Sequence, residues 1–357
     1  TKMIKNITGT RNYVTSSTRT ILRLGAVRFA QQAWTQLSEK HNIEILETTA
    51  TSRDEFIKEV KEGKYNNVEC ITRTFESVKQ TGLFDNELIE LLKKHTKVKL
   101  ISHNGAGYDQ INVIKCGELD IKVSNVPKLV DDATADTAIY LLLGSLRNFQ
   151  MSSENLKKGL WPKFKCANTP IGNDPNGKNV GILGMGGIGR DIRDRLKPFK
   201  FANIYYYNRK RLSEELEEGA IYMESIEKLF GKCDIICISI PLNKNTKHLI
   251  NDETINMMKD GVILINTARG GVIDEKALKK ALQNGKIKGF GSDVFDNEPN
   301  VDMELINMPQ VTSLPHMGTH SFETMKAMEE FVVENVDQYL INGEVIAIVP
   351  ELAWLGK

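Results

Sequence analysis

The sequence predicts an α/β protein with two doubly wound, parallel-sheet domains. Strand-like and helix-like segments alternate along the chain in two separate series, and 357 residues exceed the usual length of one domain. A glycine-rich turn also lies between a strand and a helix at the start of the second series. We expect the active site in the cleft between the two domains, because ligands of open parallel sheets bind beyond the carboxyl ends of the strands.

The first series occupies the N-terminal third of the chain. Weak apolar alternation at 21–24 is followed by a helical pattern at 29–40, and further strands are predicted at 43–46, 68–72 and 98–102. The segments between these strands have a helical pattern. Such alternation is typical of a parallel sheet.

The second series begins with a strand at 180–183. Five further strands are predicted, at 204–207, 235–239, 262–266, 289–292 and 311–313. A helix at about 134–147 separates the two series. A second parallel sheet is therefore expected after this helix.

Two further segments complete the predicted organisation. Residues 157–179 are rich in Gly, Pro and Asn and are expected to be irregular, whereas 319–340 has the pattern of a long amphipathic helix that returns to the first domain. We therefore predict a discontinuous substrate domain at 20–130 and 322–357, and a dinucleotide-binding, Rossmann-like domain at 131–321.

The composition argues against several kinds of partner. The chain is 41% hydrophobic and 26% charged with a net charge of +1, so nothing points to nucleic acid or an anionic membrane. No stretch approaches the roughly 18 apolar residues that a membrane span needs. The five cysteines are scattered, with no C-x-x-C pair and no His at metal-ligand spacing. We therefore expect reduced thiols in an intracellular protein and no metal site.

Residues 1–19 form a basic leader that is expected to be disordered. No acidic residue precedes Glu39, and Ser and Thr are frequent between residues 8 and 20. Six basic residues lie in the first part of the chain: Lys2, Lys5, Arg11, Arg19, Arg23 and Arg28. This composition is that of an organellar transit peptide, and a leader that is not native is the other interpretation. The expected location is the cytoplasm, or the mitochondrion if the leader is a transit peptide.

The glycine-rich turn has the pattern that binds the diphosphate of a dinucleotide. Gly184 permits the tight turn, Gly186 lets the backbone approach the diphosphate, and Gly189 allows the helix to pack closely on the strand. The amides at the start of the helix at 190–197, with the positive end of its dipole, bind the anion. The glycine motif alone is weak evidence for a dinucleotide site. Its position in a βαβ unit at 179–210 predicts that the site binds a nicotinamide cofactor.

The end of the next strand indicates which cofactor is preferred. Enzymes specific for NAD usually carry Asp or Glu about 20 residues after the turn, whereas this chain has Asn208-Arg209-Lys210. Asn208 does not repel a 2′-phosphate, and Arg209 can bind it with charge-assisted bonds worth roughly 1.5–3 kcal/mol. NADP(H) is therefore favoured, with NAD(H) possible as the weaker cofactor. The alternative is that these basic side chains are only a solvated turn.

Three strands of the second series are followed by residues suited to catalysis. Arg269 follows the strand at 262–266, where its fork can hold a carboxylate at two points. Glu298 and His316 follow the next two strands. Reduction of a 2-oxo acid needs a hydride, a proton for the carbonyl oxygen and a cation for the carboxylate. A histidine whose other nitrogen is bonded to a carboxylate can give that proton. Taken singly, a histidine after a strand or a Glu-Pro pair more often has a structural role.

Six motifs together carry a resemblance that covers residues from about 21 to 352. They are the glycine motif, Asn104-Gly105-Ala106-Gly107-Tyr108-Asp109, Asp132-Ala133-Thr134-Ala135-Asp136, Asn266-Thr267-Ala268-Arg269-Gly270, Asp293-Val294-Phe295 with Glu298-Pro299, and Pro315-His316-Met317-Gly318. With these motifs the chain resembles the D-2-hydroxyacid dehydrogenase family, and within it the fungal glyoxylate/hydroxypyruvate reductases. Formate dehydrogenases of the same superfamily have Gln in place of Glu298.

The resemblance implies a role for each matching residue. Arg269 would hold the substrate carboxylate and carbonyl oxygen, His316 would be the acid/base, and Glu298 would orient it. Ala106 and Gly107 would bind the carboxylate through their backbone amides. The implied cofactor contacts are Thr134, Gly184, Gly186, Gly187, Ile188, Gly189, Asn208, Arg209, Lys210, Pro241, Thr246, Thr267, Ala268, Asp293, His316 and Gly318.

Three of these residues have structural alternatives. Asp293, which the resemblance places against the nicotinamide carboxamide, could instead cap a loop or helix. Thr134 could serve as a helix N-cap, and Pro241 could simply end its strand.

The expected function is transfer of a hydride from NADPH to a short 2-oxo acid of the glyoxylate or hydroxypyruvate type, reversibly, to give the D-2-hydroxy acid. Thr72, Arg73 and Phe75 are candidate contacts of the substrate side chain, whose identity stays open. The alternative is a nucleotide-sensing, co-repressor-like binding protein on the same fold. The resemblance also implies a homodimer in which the segment around 161–179 docks on the second subunit.

Overall fold

The computed structural model describes residues 18–356. The predictions for residues 1–17 of the basic leader, including Lys2, Lys5 and Arg11, lie outside the described residues. Arg19, which the prediction placed in a disordered leader, is instead the first residue of a strand, and its guanidinium lies 3.0 Å from Glu69. The prediction was wrong here because a basic residue at a strand end does not continue the apolar alternation.

The first sheet has five strands in the order β2–β1–β3–β4–β5. The pairs β1–β2, β1–β3 and β4–β5 are parallel. Aliphatic side chains such as Ile21, Leu22 and Ile71 are completely buried and form part of its core. The strands are β1 Arg19–Leu24, β2 Ile43–Glu47, β3 Val68–Thr74, β4 Leu100–Asn104 and β5 Lys122–Ser124.

Within residues 18–124, five α-helices accompany these strands. Polar side chains cap the start of three of them. Ser52 caps α2, Asp85 accepts a 3.0 Å hydrogen bond from the amide of Leu88, and Asn112 accepts one of 3.1 Å from Lys115. The helices are α1 Gln31–His41, α2 Arg53–Lys61, α3 Val78–Thr81, α4 Asn86–His95 and α5 Val113–Glu118.

The second sheet has seven parallel strands in the order β12–β11–β10–β9–β6–β7–β8. The chain runs outward from β6 to β8 and then returns to the other side of β6 with β9. The switch point between β6 and β9 is the place where doubly wound sheets bind their ligands. The strands are β6 Asn179–Leu183, β7 Asn203–Tyr207, β8 Ile221–Tyr222, β9 Ile235–Ile238, β10 Val262–Asn266, β11 Ile287–Ser292 and β12 Val311–Ser313.

Helix α6 packs on this sheet at very short range. A Cβ at Gly291 of β11 would lie 2.9 Å from the carbonyl oxygen of Leu141 and 2.8 Å from the hydroxyl of Ser145, so only glycine fits there. Between residues 125 and 356, nine α-helices accompany the second sheet or follow it: α6 Asp131–Arg147, α7 Phe149–Lys157, α8 Gly187–Leu196, α9 Glu214–Glu217, α10 Ile226–Lys232, α11 Asp252–Asn256, α12 Glu275–Gln283, α13 Met303–Ile306 and α14 Phe322–Asn342.

The chain forms two compact units. One contains the described residues up to His103, with Asn112–Ser124 and the described part of Val333–Lys357. The other contains Asn104–Ile111 and Asn125–Val332. The predicted division into a substrate domain and a dinucleotide-binding domain is a functional assignment and stays a prediction.

The predicted α/β class with two parallel-sheet domains is confirmed, and each of the ten predicted strands overlaps an observed one. Two short strands, β5 and β8, were not predicted, because two or three residues do not establish an alternation. No helix within residues 18–356 is long and apolar enough to cross a membrane.

Candidate active site

The turn between β6 and α8 requires glycine at two positions. Gly184 has φ +93°, and a Cβ there would lie 2.6 Å from the carbonyl oxygen of Ser239, which directly follows β9. A Cβ at Gly189 would lie 2.3 Å from the carbonyl oxygen of Gly184. The first glycine therefore allows the turn, and the second allows the helix to approach the strand.

The start of α8 has the features of an anion site. Its N-cap is Gly186, whose lack of a side chain leaves the first helical amides without a side-chain cap, and a Cβ at Gly186 would meet no atom within 4 Å. Gly187 and Ile188 follow it in the first turn. Helical amides without a side-chain cap, at the positive end of a helix dipole, fit the diphosphate of a dinucleotide.

Asn208 connects the end of β7 to this turn. Its side-chain oxygen accepts a 2.7 Å hydrogen bond from the amide of Met185, which lies inside the glycine motif. Arg209 and Lys210, the next two residues, are exposed. Among the described residues no hydrogen bond or ion pair involves the guanidinium of Arg209. Asn208 therefore shapes the turn, and Arg209 is available to an anionic ligand.

Arg211 is engaged with the protein itself. Its guanidinium donates two hydrogen bonds, of 2.8 and 2.9 Å, to the carboxylate of Glu217. The hydroxyl of Tyr206 also donates to Glu217 and accepts a 3.1 Å bond from the amide of Leu212. The hydrogen bonds from Arg211 and Tyr206 lower the pKa of Glu217 to about 2. This network holds the segment after β7, so that Arg209 and Lys210 project from a fixed turn.

The end of β10 shapes the segment that carries Arg269. The buried side chain of Asn266 accepts a 3.0 Å hydrogen bond from the amide of Ala268 and donates one of 3.0 Å to the carbonyl oxygen of Arg269. Its own carbonyl oxygen accepts a 3.0 Å bond from the amide of Asp293. Asn266 thus determines the path of the chain from the strand to the arginine.

The side chain of Arg269 lies against the loop at 104–109. Its Nε donates a 2.8 Å hydrogen bond to Asp109, and its Nη1 donates one of 2.8 Å to the carbonyl oxygen of Ala268. A Cβ at Gly107 would lie only 1.9 Å from Nη2, so the guanidinium lies directly against the backbone of this loop. The carbonyl oxygen of Ala106 is held by a 2.8 Å bond from Asn125. The loop and the arginine belong to the same compact unit.

His316 and Glu298 form a direct pair. The Nδ1 of His316 lies 2.6 Å from Oε2 of Glu298. The other carboxylate oxygen of Glu298 accepts a 2.8 Å hydrogen bond from the amide of Phe295, which fixes the carboxylate. The backbone amide of His316 donates a 2.7 Å bond to the carbonyl oxygen of Asp293, and His316 has φ +51°. The turn therefore holds His316 in a left-handed conformation that few non-glycine residues adopt.

Asp293 organises the turn that carries His316. One carboxylate oxygen accepts a 2.7 Å hydrogen bond from the amide of Met317, and the other accepts one of 2.7 Å from Gly318. Burial raises the pKa of Asp293, and the two amide bonds oppose that rise. Asp293 therefore caps this loop, as its structural alternative predicted. Contact of Asp293 with the cofactor stays a prediction.

The remaining predicted cofactor residues lie at the same sheet or on α6. Thr134 is inside α6 and donates a 2.7 Å bond to the carbonyl oxygen of Val130, so the alternative that it is an N-cap is wrong. Pro241 lies beyond the end of β9, and its carbonyl oxygen accepts a 2.6 Å bond from the hydroxyl of Thr246. Thr267 and Ala268 are buried directly after β10.

The predicted residues thus meet at one edge of the seven-stranded sheet. The carboxyl ends of six neighbouring parallel strands lead to the turn of His316, Asp293, Arg269, Pro241, the glycine turn and Asn208. Sequence reasoning missed the contacts of Asp109, Asn266 and Glu217. A buried Asn at the end of an all-apolar strand could have pointed to Asn266, but the other two contacts join distant segments. Within residues 18–356 no cluster of His, Cys, Asp or Glu could hold a metal ion.

Comparison with known proteins supports the same family over most of the chain as the sequence motifs do. Residues 139–318 match the family described as D-isomer specific 2-hydroxyacid dehydrogenase, NAD binding domain. The chain is 50% identical to glyoxylate reductase 1 of Saccharomyces cerevisiae over 335 residues, which cover 93% of this chain and 95% of that protein. It is 43% identical to 4-methyl-2-oxopentanoate reductase A of Aspergillus oryzae, covering 92% and 97% of the two chains.

Solved structures agree in fold. A glyoxylate reductase from Paecilomyes thermophila has a TM-score of 0.88 and 42% identity, covering 94% of this chain and 99% of that one. An NADPH-dependent glyoxylate/hydroxypyruvate reductase from Sinorhizobium meliloti, in complex with NADP and malonate, has a TM-score of 0.80 and 28% identity, covering 94% and 98%. The chain therefore belongs to the D-isomer specific 2-hydroxyacid dehydrogenase family and is an oxidoreductase that binds a nicotinamide cofactor and acts on small 2-oxo or 2-hydroxy acids.

Proposed function

We propose that the protein reduces a short 2-oxo acid of the glyoxylate or hydroxypyruvate type with NADPH, reversibly, and forms the D-2-hydroxy acid. The observation that supports this most directly is the arrangement of Arg269, the His316–Glu298 pair and the glycine turn at one edge of one parallel sheet. Relatives named as glyoxylate reductases support the same substrate class.

In this proposal three side chains do the chemistry that the protein supplies. Arg269 binds the substrate carboxylate and polarises the carbonyl oxygen, and the amides of Ala106 and Gly107 share the carboxylate. When bound, the reduced nicotinamide supplies the hydride for C2. His316 gives the proton to the carbonyl oxygen from Nε2, because Nδ1 faces Glu298 at 2.6 Å. Glu298 fixes the tautomer and the ring orientation of the histidine.

The cofactor contacts we propose follow the edge of the sheet. The amides at Gly186, Gly187 and Ile188 bind the diphosphate, with Gly184 and Gly189 giving the turn its shape. The other contacts are Thr134, Asn208, Arg209, Lys210, Pro241, Thr246, Thr267, Ala268, Asp293, His316 and Gly318. Arg209 favours NADP(H), because no carboxylate occupies the end of β7 and its guanidinium is exposed there. NAD(H) is the weaker cofactor. The S. meliloti reductase bound to NADP supports this preference by similarity.

We further propose a homodimer formed through the segment after α6. Helix α7 contains no buried residue, and the neighbouring Trp161, Phe164 and Ile171 are also exposed. An apolar surface of this kind is typical of a protein interface, and a second copy of the chain is the occupant we propose.

The cytoplasm is the proposed location, consistent with five free cysteines, and the mitochondrion is the alternative if the leader is a transit peptide.

The decisive experiment measures oxidation of NADPH and NADH at 340 nm with glyoxylate, hydroxypyruvate and 4-methyl-2-oxopentanoate. We expect the highest kcat/KM with NADPH and one of the two smaller acids, and chiral chromatography should show the D-2-hydroxy acid as the product. Arg269→Ala and His316→Ala should each abolish turnover while NADPH still binds, as measured by its fluorescence. Turnover retained in either variant would contradict the mechanism.

A co-repressor-like binding protein is not favoured, because that function requires no turnover and the relatives are named as reductases.

A further inference from the structure

We propose that Asp109 is a positioning residue for carboxylate binding, because it holds the guanidinium of Arg269 in the orientation that receives the substrate. This inference rests on the proposed function and concerns the same site.

The first support is the geometry of the contact. Asp109 accepts a 2.8 Å hydrogen bond from Nε of Arg269, and the two residues are 160 positions apart in the chain. Both side chains are largely shielded, at 24% and 22% exposure, so the pair is less screened than a surface ion pair. Asp109 also belongs to the loop whose Gly107 lies against Nη2 of the same guanidinium.

The second support is that two hydrogen bonds hold the planar guanidinium of Arg269. The bond from Nε to Asp109 and the bond from Nη1 to the carbonyl oxygen of Ala268 together determine the rotation of the guanidinium plane. This rotation directs Nη2 to Gly107, beside the amides proposed to share the carboxylate. A guanidinium that is already oriented loses less side-chain entropy when the carboxylate arrives.

A competing role for Asp109 has the opposite consequence. If the aspartate merely occupied the arginine until substrate displaced it, its removal would tighten carboxylate binding. If it orients the arginine, its removal weakens carboxylate binding. The sign of the change in affinity therefore distinguishes the two roles.

The test compares Asp109→Ala and Asp109→Asn with wild type, using oxalate as a carboxylate probe that resembles glyoxylate. We expect Asp109→Ala to raise KM for glyoxylate and Kd for oxalate about tenfold, which corresponds to roughly one immobilised side chain. Asp109→Asn keeps an oxygen acceptor for Nε and should lose about threefold. Kd for NADPH and Tm should stay near wild type. Asp260→Ala, which removes an exposed carboxylate paired with Lys286, is the matched control and should change none of these quantities.

A double-mutant cycle separates positioning from a general structural role. In an Arg269→Lys background, Asp109→Ala should add no further loss in oxalate affinity, because lysine has no Nε donor for the aspartate to hold. Unchanged or tighter oxalate binding in the Asp109 variants would overturn the inference, as would an equal loss of NADPH binding. If Asp109→Ala does not fold, Asp109→Asn decides alone. A wild-type protein that reduces no 2-oxo acid would instead refute the proposed function.

Discussion

At the scale of single residues, Asn208 combines two tasks at the end of β7. Its side-chain oxygen accepts a 2.7 Å hydrogen bond from the amide of Met185 and so supports the glycine turn. A carboxylate at this position could make the same bond but would repel a 2′-phosphate. The amide thus preserves the turn without opposing the anion. Arg209 beside it is exposed, whereas Arg211 is bound to Glu217.

The first prediction concerns Arg209. Arg209→Ala should raise KM for NADPH about tenfold and leave KM for NADH within twofold, because only NADPH carries a 2′-phosphate, which is worth one charge-assisted contact. Steady-state kinetics at 340 nm with each nucleotide measures the ratio. Lys228→Ala, at an exposed lysine paired with Glu224, is the control for a general loss of positive charge. Equal losses with both nucleotides would show that Arg209 does not recognise the phosphate.

The second prediction concerns Asp131, the first residue of α6. Its carboxylate lies against the start of α8, since a Cβ at Gly187 would be 2.0 Å from Oδ2. Burial, with the nearby carboxylates of Asp191 and Asp132, raises the pKa of Asp131 to about 6, and Arg190 and Lys128 oppose the rise. The unfolded chain titrates near pH 4. The folded protein therefore holds this proton more tightly, and stability is lost as the pH rises from about 4 to 6.

Asp131→Asn removes this titration. Relative to wild type, the variant should gain more in Tm at pH 7.5 than at pH 4.5, where the wild-type carboxyl is largely protonated. Thermal unfolding at the two pH values measures the difference. Asp260→Asn, at an exposed carboxylate, should show no such dependence. The same change in Tm at both pH values would mean that Asp131 does not titrate in this window.

At the scale of elements, the junction of β6 and α8 permits a comparison of two glycines. Gly189→Ala should lower the free energy of unfolding by about 1–3 kcal/mol, because the new Cβ would lie 2.3 Å from the carbonyl oxygen of Gly184. Gly186→Ala should leave Tm unchanged, because nothing lies within 4 Å of its Cβ, yet it should weaken NADPH binding by filling the space of the diphosphate. Thermal unfolding and NADPH fluorescence measure both effects. Unchanged NADPH affinity in Gly186→Ala would place the diphosphate elsewhere.

The strands that could be predicted from the sequence are those with a complete apolar run. All five residues of β10 are buried, and its predicted bounds are the observed ones. Strand β8 has only two residues, one of them exposed, and pairs at the edge of the sheet, so its local sequence has no distinguishing pattern. Helix α7 was not predicted because no residue of it is buried, which removes the amphipathic period on which such predictions depend.

The site was predictable where residue type and strand position suffice. The glycines, Arg269, Glu298 and His316 all follow strands of one parallel sheet, and parallel strands bring their carboxyl ends to one edge. The partner of Arg269 was not predictable in this way. Asp109 reaches it across 160 positions through tertiary packing, for which one sequence offers no periodic pattern. The bond from Asn208 to Met185 depends in the same way on the register of β6 and β7.

At the scale of the whole molecule, the last prediction concerns assembly through the segment after α6. Ile171 is 95% exposed and Trp161 is 64% exposed, and burial of one such side chain gains roughly 1.5–3 kcal/mol at an interface. We expect the wild-type chain of 40.2 kDa to have the mass of a dimer by light scattering at micromolar concentration. The double variant Trp161→Asp, Ile171→Asp should be monomeric, because each subunit would place two carboxylates in the apolar contact. Ile221→Asp, at an exposed apolar residue of β8, is the control and should remain dimeric. A monomeric wild type, or a dimeric double variant, would show that this surface does not join two copies.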